Sequence, residues 1–487
     1  MFLRLILIIS LVSIIFSNNR RSCMLNDGKH RSRPNLDTFH TSPSGHFYIH
    51  YDLNGINAPD QTDNFGASGE TIPNLIPDYI DKVAEVADLF RFIIIEDFNF
   101  LPEVDDTDGI YDIYVKDRGN LDYGLNLEDF DIPSASYIII DNEYEEEDYY
   151  TSGLNTMYLT VAHEFFHAIQ RSYNSPAFGH TYFWEMTATW IEDTLVPSGN
   201  DYIFWIDNFF EDPNQDIDDT DGYSIALFSH YLINIIDSGN NSDIIRKIWE
   251  NYSNTNNPLY SINFILENDY NITFEQAWVD FCSRNFFNGE YEDMNNDIYF
   301  HIDQKDIMSL STLDSNLDNP TLINQTEVDN LNLTNKSSDH IAYVSNYNCT
   351  IDFEHTISSS SNILEGIISI KSQSNSDGNR QVTLGDDYSE DISLQEGDIV
   401  YLSYSSDSNA ILDIITNYID VDGTELLSGD SNIDSEINVI DVVIIIDFIL
   451  EELNPNQFQF GNSDINSDYI LNIFDVMLLI GLILEKN

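Results

Sequence analysis

The chain has 487 residues, of which 84 are Asp or Glu and only 19 are Lys or Arg, so its formal net charge is -65. This length predicts several domains, and a hydrophobic content of 42% excludes a mainly disordered acidic chain. A negative field of this size repels nucleic acids and anionic membranes, which excludes DNA and RNA binding as functions.

The first residues have the pattern of a secretory signal peptide. Arg4 precedes an apolar run over 5–16 that is too short to span a bilayer. We therefore expect a signal peptide over 1–17 and a secreted or extracellular protein, either free or attached to the cell surface. No later segment is long and apolar enough to predict a membrane span. Residues 18–44 are polar and lack periodicity, which predicts a linker or a pro-segment.

Strand and helix patterns over 45–305 predict an α+β domain. In chain order they are a strand at 46–51, a helix at 72–94, strands at 111–115 and 135–140, and helices at 153–173 and 182–193, followed by largely helical residues to 300. An acidic turn before the second strand contains Asp105, Asp106, Asp108 and Asp112. It could hold calcium or be a solvated loop, and both readings stay open.

The helix predicted at 153–173 contains an H-E-x-x-H pattern, formed by His163, Glu164 and His167. Positions four apart lie on one helix face, so both imidazoles can bind one ion. Two neutral histidines suit zinc, and the glutamate between them can act as a general base on water. The other residues of this helix are almost all apolar. Buried histidines in such surroundings need a partner, and a metal supplies one.

A catalytic zinc also needs a third protein ligand and one open position. Glu185, on the next predicted helix, is the favoured third ligand, and His180 is the competing candidate. A third histidine at the position that would extend the first motif is absent, because Tyr173 stands there.

Other side chains could support such a site. Glu192 or Asp193 could orient a ligand imidazole from behind. Tyr223 and His230, on a later predicted helix, could stabilise an oxyanion or simply pack in the core.

The stretches 163–170 and 184–193 together resemble a family of secreted bacterial metallopeptidases of the gluzincin type, over about residues 40–300. The resemblance implies a zincin-like catalytic domain with zinc (Zn2+) held by His163, His167 and Glu185. It also implies that Glu164 is the general base. Met186 stands where that family usually has a small residue.

Residues 310–420 differ in composition and periodicity from the residues before them. Short alternating runs at 340–344, 366–370 and 398–404 are separated by Asn, Asp, Gly and Ser turns, which predicts an all-β sandwich domain. It contains no catalytic constellation and reads as an accessory module.

The last sixty residues contain a repeat in which Asp430 and Asp464 start two loops of the same pattern. Oxygen side chains at loop positions 1, 3, 5, 9 and 12, with a backbone carbonyl at position 7, follow the EF-hand scheme for calcium (Ca2+). The predicted ligands are Asp430, Asn432, Asp434, Glu436, Asn438 and Asp441 in the first loop, and Asp464, Asn466, Asp468, Ile470, Asn472 and Asp475 in the second.

The repeat resembles a type I dockerin over 425–487, a small α calcium-loop module that docks onto cohesins. The resemblance implies calcium ligation and a cohesin-like scaffold as partner. Ser435 and Tyr469 replace the loop glycine, and the helices after the loops are almost wholly apolar.

Taken together, the sequence predicts a multidomain α+β protein: a secreted zinc endopeptidase that acts on protein or peptide substrates, with a calcium-binding docking module. Two alternatives stay open. One is a catalytically inactive, metallopeptidase-like binding protein on a cell surface or scaffold; the other is an exopeptidase.

Overall fold

The structure is a computed structural model of the full chain. It describes residues 24–25, 32–66, 72–119, 122–145, 150–177, 179–211, 213–239, 242–289, 300–307, 321–322, 327–333, 336–344, 349–357, 364–372, 380–384, 392–395, 398–419, 428–434, 436–450, 453–455, 457–466 and 470–485. The predicted signal peptide therefore lies outside the described residues. The chain divides into two units, one comprising Met1–Phe209 and Ile217–Thr273, the other Phe210–Asp216 and Phe274–Asn487.

The first unit contains a six-stranded mixed sheet. Its strands are β1 (Met24–Leu25), β2 (Thr38–Thr41), β3 (Phe47–Tyr51), β4 (Tyr111–Val115), β5 (Gly124–Glu128) and β6 (Ser136–Ile140), in the order β1-β5-β6-β4-β3-β2. β3 is parallel to β4, and β4 is parallel to β6, whereas β5 runs antiparallel to β6. The central strands β4 and β6 are buried at every position, as expected for strands covered on both faces.

The first unit also contains helices, of which the first lies between β3 and β4 in the chain and the others follow β6; the first two pack on the sheet. They are α1 (Asp78–Phe92), α2 (Gly153–Arg171), α3 (Thr181–Leu195), α4 (Ile203–Glu211), α5 (Ala226–Tyr231), α6 (Asp243–Thr255) and α7 (Pro258–Ile265). Shorter 3-10 and π turns lie at Ile93–Asp97, Ile217–Asp219, Tyr223–Ile225, Leu232–Ile236 and Leu266–Tyr270.

The predicted strands at 46–51, 111–115 and 135–140 and the helix at 153–173 are present within one or two residues. The helix predicted at 72–94 begins only at Asp78, because Pro77 is its N-cap in an extended conformation. Strand β5 has no counterpart in the sequence prediction, since Gly124 and Asn126 weaken its strand pattern.

Part of the segment predicted to be a linker or pro-segment belongs to the sheet. β2 pairs with β3, and β1 pairs with β5. Arg33 binds the carboxylates of Asp106 and Asp112 and places its Nε 2.9 Å from Asp129 Oδ2. Leu36 packs against a cluster formed by Tyr114, Leu125, Leu127, Tyr137 and Ile139. Residues 32–41 therefore complete the sheet.

The second unit contains two further sheets. Their strands are β7 (Thr321–Leu322), β8 (Glu327–Leu333), β9 (Asp339–Val344), β10 (Cys349–Ile357), β11 (Leu364–Lys371), β12 (Arg380–Leu384), β13 (Ile392–Leu394), β14 (Ile399–Ser406) and β15 (Ala410–Ile419). The orders are β13-β10-β15-β8 and β12-β11-β14-β9-β7, and all described pairings except β7 with β9 are antiparallel. The short-strand pattern of the sequence predicts this antiparallel region.

Helix α8 (Phe274–Arg284) belongs to this second unit, although the sequence places it in the front domain. It packs on β11 and β14, and Ser369 Oγ donates to the Ser283 carbonyl at 3.2 Å. Two 3-10 turns follow at Asn285–Phe287 and Ile302–Lys305.

The C-terminal helices are α9 (Val439–Ile449), α10 (Gln457–Ser463) and α11 (Ile473–Glu485). α9 and α11 pack on each other through Val442, Ile445, Val476 and Leu479. The chain is thus a mixed α/β protein with several sheets, many helices and a small helical module at its end. None of the helices in the described ranges has the length and apolar character needed to cross a bilayer.

Candidate metal centre

Helix α2 carries the H-E-x-x-H residues into the interior of the first unit. His163, Glu164 and His167 each have an exposed fraction of 0%. The helix is held there by aromatic packing, since the ring of Phe165 lies 5.3 Å from Phe47 and 5.6 Å from Tyr111. The apolar residues that predict burial of this helix are therefore the ones that fix its position against the sheet.

Helix α3 brings a carboxylate to the two histidines. Glu185 Oε2 lies 3.1 Å from His163 Nε2 and 3.5 Å from His167 Nε2. The three ligand atoms all lie within 4.8 Å of one another, and all three residues are buried. The structure thus assembles the predicted set His163, His167 and Glu185.

The competing third ligand, His180, is placed elsewhere. It is the N-cap residue of α3, and its Nδ1 lies 2.9 Å from the Tyr252 hydroxyl. Of the two candidates, Glu185 is the one that the structure groups with the histidines.

Glu192, one of the predicted supporting residues, contacts the far side of His163. Its Oε1 makes a short hydrogen bond with His163 Nδ1, which leaves Nε2 of that ring directed toward Glu185. Carboxylates commonly hold metal-binding histidines in this way. Asp193, the alternative, instead lies 3.3 Å from His230 Nε2.

Charges in the cluster are strongly coupled. Burial alone would lower the pKa of His163, but the carboxylates of Glu192 and Glu185 raise it well above its usual value. Burial lowers the pKa of His167. Although burial would raise the pKa of Glu185, the two histidines lower it to about 2. Two carboxylates and two imidazoles in one dry site therefore favour an added positive charge.

Glu164, the glutamate of the motif, lies against strand β5. A Cβ atom at Gly124 would stand 3.0 Å from Glu164 Cγ and 2.5 Å from Thr160 Cγ2. Asn126 Nδ2 donates to the Glu164 carbonyl at 3.0 Å. A residue without a side chain at 124 thus lets β5 approach the glutamate closely.

Tyr223 and His230, the predicted oxyanion candidates, occupy different positions. The ring of Tyr223 stacks on that of His163, with centroids 5.7 Å apart and planes 6° apart. His230 pairs with Asp193 and lies 6.1 Å from the ring of Tyr202. Of the two, Tyr223 is the one in ring contact with a candidate ligand.

Three residues near this centre have no place in the sequence prediction. Gln170 hydrogen-bonds His167 Nδ1 at 2.6 Å. Gly222 packs against Tyr182, Glu185 and Met186. Burial raises the pKa of Asp201 to about 7, and the charge of Glu192 adds to this shift. Of the three, only Gln170 could have been predicted from the sequence, because it is a polar residue three positions after His167 in a mostly apolar helix.

The acidic turn before β4 brings the carboxylates of Asp105, Asp106 and Asp108 within 4.8 Å of one another. Arg33 binds Asp106 and Asp112 from the N-terminal segment. The positive charge of Arg33 therefore neutralises part of this acidic turn.

The first calcium-type loop is organised around Asp441. Its carboxylate accepts the backbone N–H groups of Asn432 at 3.2 Å and Asn438 at 2.8 Å. Asp430 Oδ1 and Asn432 Oδ1 each accept the N–H of Asp434 at 3.0 Å. Burial raises the pKa of Asp441, and the charges of Asp430 and Asp434 also raise it.

The second loop repeats this arrangement. The Asp475 carboxylate accepts the N–H groups of Ile465 at 3.0 Å, Asn466 at 3.4 Å and Asn472 at 2.9 Å. Asp464 and Asp475 are both fully buried. The predicted ligand Asp468 lies outside the described residues.

The predicted carbonyl ligands make equivalent contacts in the two loops. The carbonyl of Glu436 accepts the side-chain amide of Asn438 at 3.3 Å, and that of Ile470 accepts the amide of Asn472 at 2.8 Å. The helices after the loops expose large apolar residues at matching positions: Val439 and Ile473, Ile440 and Phe474, and Val443 and Met477.

Comparison with known families identifies only the C-terminal part of the chain. Residues 428–484 match the dockerin type I domain. No curated protein matches the chain. The predicted dockerin-like module is therefore confirmed, and the metallopeptidase assignment of the front half stays a prediction.

Proposed function

We propose that the first unit is a zinc-dependent endopeptidase whose metal is held by His163, His167 and Glu185. One observation carries this proposal. Four ligands at about 2.1 Å around a tetrahedral zinc ion stand about 3.4 Å apart, and Glu185 Oε2 lies 3.1 and 3.5 Å from the two imidazole nitrogens.

A second observation supports the fit. Within the part of the chain that the structure describes, the buried His167 Nε2 makes no hydrogen bond. It lies opposite a carboxylate oxygen. Two electron-rich atoms facing each other in a dry interior need a cation between them.

The remaining residues have separate roles in this proposal. Zinc bound there would polarise a peptide carbonyl and make a nearby water more acidic. Glu164 would take the proton from the attacking water and deliver it to the leaving amine. Glu192 holds the ring of His163, and Tyr223, stacked on that ring, is assigned to the oxyanion.

The proposed substrate is a protein or peptide in extended form. Strand β5 lies against Glu164 through Gly124, and β1 occupies its edge opposite β6, so an extended substrate would add there in place of β1. In the structure, β1 pairs with this strand at Met24 with Leu125 and Leu25 with Asn126.

The test is elemental analysis of the purified protein together with cleavage of an internally quenched peptide blocked at both ends. We expect one zinc per chain, with cleavage that stops on chelation and returns with zinc. His167→Ala should lose the metal. A wild-type protein without zinc contradicts the site. Zinc without cleavage favours an inactive binding protein, and cleavage only of peptides with a free end favours an exopeptidase.

We further propose that the dockerin module binds calcium through both loops and attaches the protein outside the cell to a cohesin-bearing scaffold. The family match and the equivalent hydrogen bonding of Asp441 and Asp475 support this proposal. Binding of the full chain to immobilised type I cohesins, with calcium and with EGTA, tests it. Binding that is insensitive to EGTA, or absent with all cohesins, contradicts it.

A further inference from the structure

Gln170 lies one helical turn after His167, on the side of the ring away from Glu185. Its Oε1 is 2.6 Å from His167 Nδ1, and both residues are buried. An amide oxygen only accepts hydrogen bonds, so this contact requires the proton of the imidazole to be on Nδ1.

The orientation of the Gln170 amide is determined by its other contacts. Its Nε2 donates to the carbonyl oxygen of Trp184 at 2.9 Å and to Thr187 Oγ1 at 3.0 Å. A carbonyl can only accept, so the NH2 group must face Trp184. The oxygen must then face His167.

Thr187 is itself constrained. Its hydroxyl donates to the Phe183 carbonyl at 3.0 Å, and it accepts the indole N–H of Trp249 at 3.3 Å. The hydroxyl hydrogen is therefore already used. This leaves Thr187 Oγ1 as an acceptor for Gln170, in agreement with the amide orientation that Trp184 imposes.

We propose that Gln170 is a positioning residue that holds His167 in the tautomer with an unprotonated Nε2, and that it ties this ligand to the helix that carries Glu185. Trp184 is the neighbour of Glu185 in α3, so one amide joins both ligand-bearing helices. With Glu192 on His163 Nδ1, each imidazole then has one acceptor behind it and its Nε2 directed toward Glu185. This inference rests on the proposed zinc function.

The experiment compares the zinc affinity of the full-length variants Gln170→Leu, Gln170→Glu and Thr187→Val by competition with a chromogenic chelator. Gln170→Leu removes the acceptor with little change in volume, and we expect zinc affinity to fall by about 10- to 100-fold. Gln170→Glu keeps an oxygen acceptor beside Nδ1, and its buried carboxyl, protonated toward the Trp184 carbonyl, keeps the donor on the other side, so its affinity should stay within about threefold of wild type.

Thr187→Val is the matched control. It removes a buried hydrogen-bonding group of the same network, but Gln170 remains bound to the Trp184 carbonyl and to His167. Its urea midpoint should fall, while its zinc affinity should stay within about threefold of wild type. A purely structural role of the network would instead reduce affinity in parallel with stability in all three variants.

The outcomes separate the two proposals. If the wild-type protein binds no zinc, the proposed function fails and this inference fails with it. If it binds zinc and Gln170→Leu binds it equally well, only the role of Gln170 is wrong. Should Gln170→Leu fail to fold, Gln170→Glu decides, because a loss of about tenfold or more in affinity there overturns the role of the acceptor.

Discussion

Gly222 packs directly against Glu185, so closely that a Cβ atom on the glycine would stand 2.7 Å from the Cβ of the glutamate. The same atom would stand 2.4 Å from the Tyr182 carbonyl oxygen and 3.0 Å from the Met186 nitrogen. Backbone atoms cannot give way as a flexible side chain can. The position of the candidate third ligand thus depends on a residue that comes 37 positions later in the chain.

Gly222→Ala should destabilise the first unit and displace Glu185. Gly222 has a φ of 87°, where an alanine costs about 1–2 kcal/mol, and the crowding adds about 1–3 kcal/mol. Gly45→Ala is the control, because Gly45 has a φ of 83° with nothing within 4 Å. Urea unfolding and zinc content measure the difference. Equal effects in the two variants would show that the close contact has no influence.

Glu164→Gln should retain stoichiometric zinc and lose hydrolysis by about 100-fold or more, since the amide cannot accept the proton of the attacking water. Glu164 is not among the three grouped ligands, which is why zinc should stay. Glu143→Gln changes an exposed glutamate of the same unit and serves as the control. Full activity in Glu164→Gln would exclude this residue as the base.

Asp441→Asn and Asp475→Asn should each weaken calcium binding by roughly tenfold or more, because each removes a charge from its loop. Asp447 lies on the same helix as Asp441 but outside the loop. The Asp447→Asn variant should therefore bind calcium with the affinity of the wild type. Isothermal titration of the full-length protein measures the change. The two loops are equivalent in their hydrogen bonds, so an effect in only one of them would contradict the symmetric assignment.

His340 should make the second unit sensitive to acid. Burial lowers its pKa to about 3, against 6.5 for an ordinary histidine. Between these values the unfolded chain takes up the proton more readily than the folded one, so stability falls as pH falls from 6.5 toward 3. The full difference corresponds to roughly 5 kcal/mol.

Denaturant unfolding across this pH range, in wild type and in His340→Gln, measures the effect. The glutamine variant should lose less stability in acid than the wild type does. His46→Gln, at an exposed position, should behave like the wild type. Parallel curves for wild type and His340→Gln would show that another group causes the acid sensitivity.

The parts of the site that the sequence predicts are those with a local pattern. His163, Glu164 and His167 share one helix, and spacing alone puts the two histidines on one face. The calcium loops repeat, so each supports the other. Glu185 follows from chemistry, since a third oxygen or nitrogen ligand was needed and few polar residues stand in apolar surroundings.

The remaining parts depend on contacts between distant segments, which local patterns do not encode. Gly124 and Gly222 matter because of what approaches them in space, and nothing in their own neighbourhoods indicates this. Residues 32–41 look like a linker because they are polar, yet they include a strand that pairs with β3 and an arginine that binds an acid far along the chain. The same limit applies to α8, whose apolar side fits equally a helical front domain and the sheet it packs on.

Arg33 sets an order of events during synthesis. Its partner Asp129 is 96 residues further along the chain, so the guanidinium leaves the ribosome long before that carboxylate exists. The sheet can close over the N-terminal segment only after β4 and β6 have been made. Until then Arg33 lacks the carboxylates of Asp112 and Asp129 that it binds in the finished sheet.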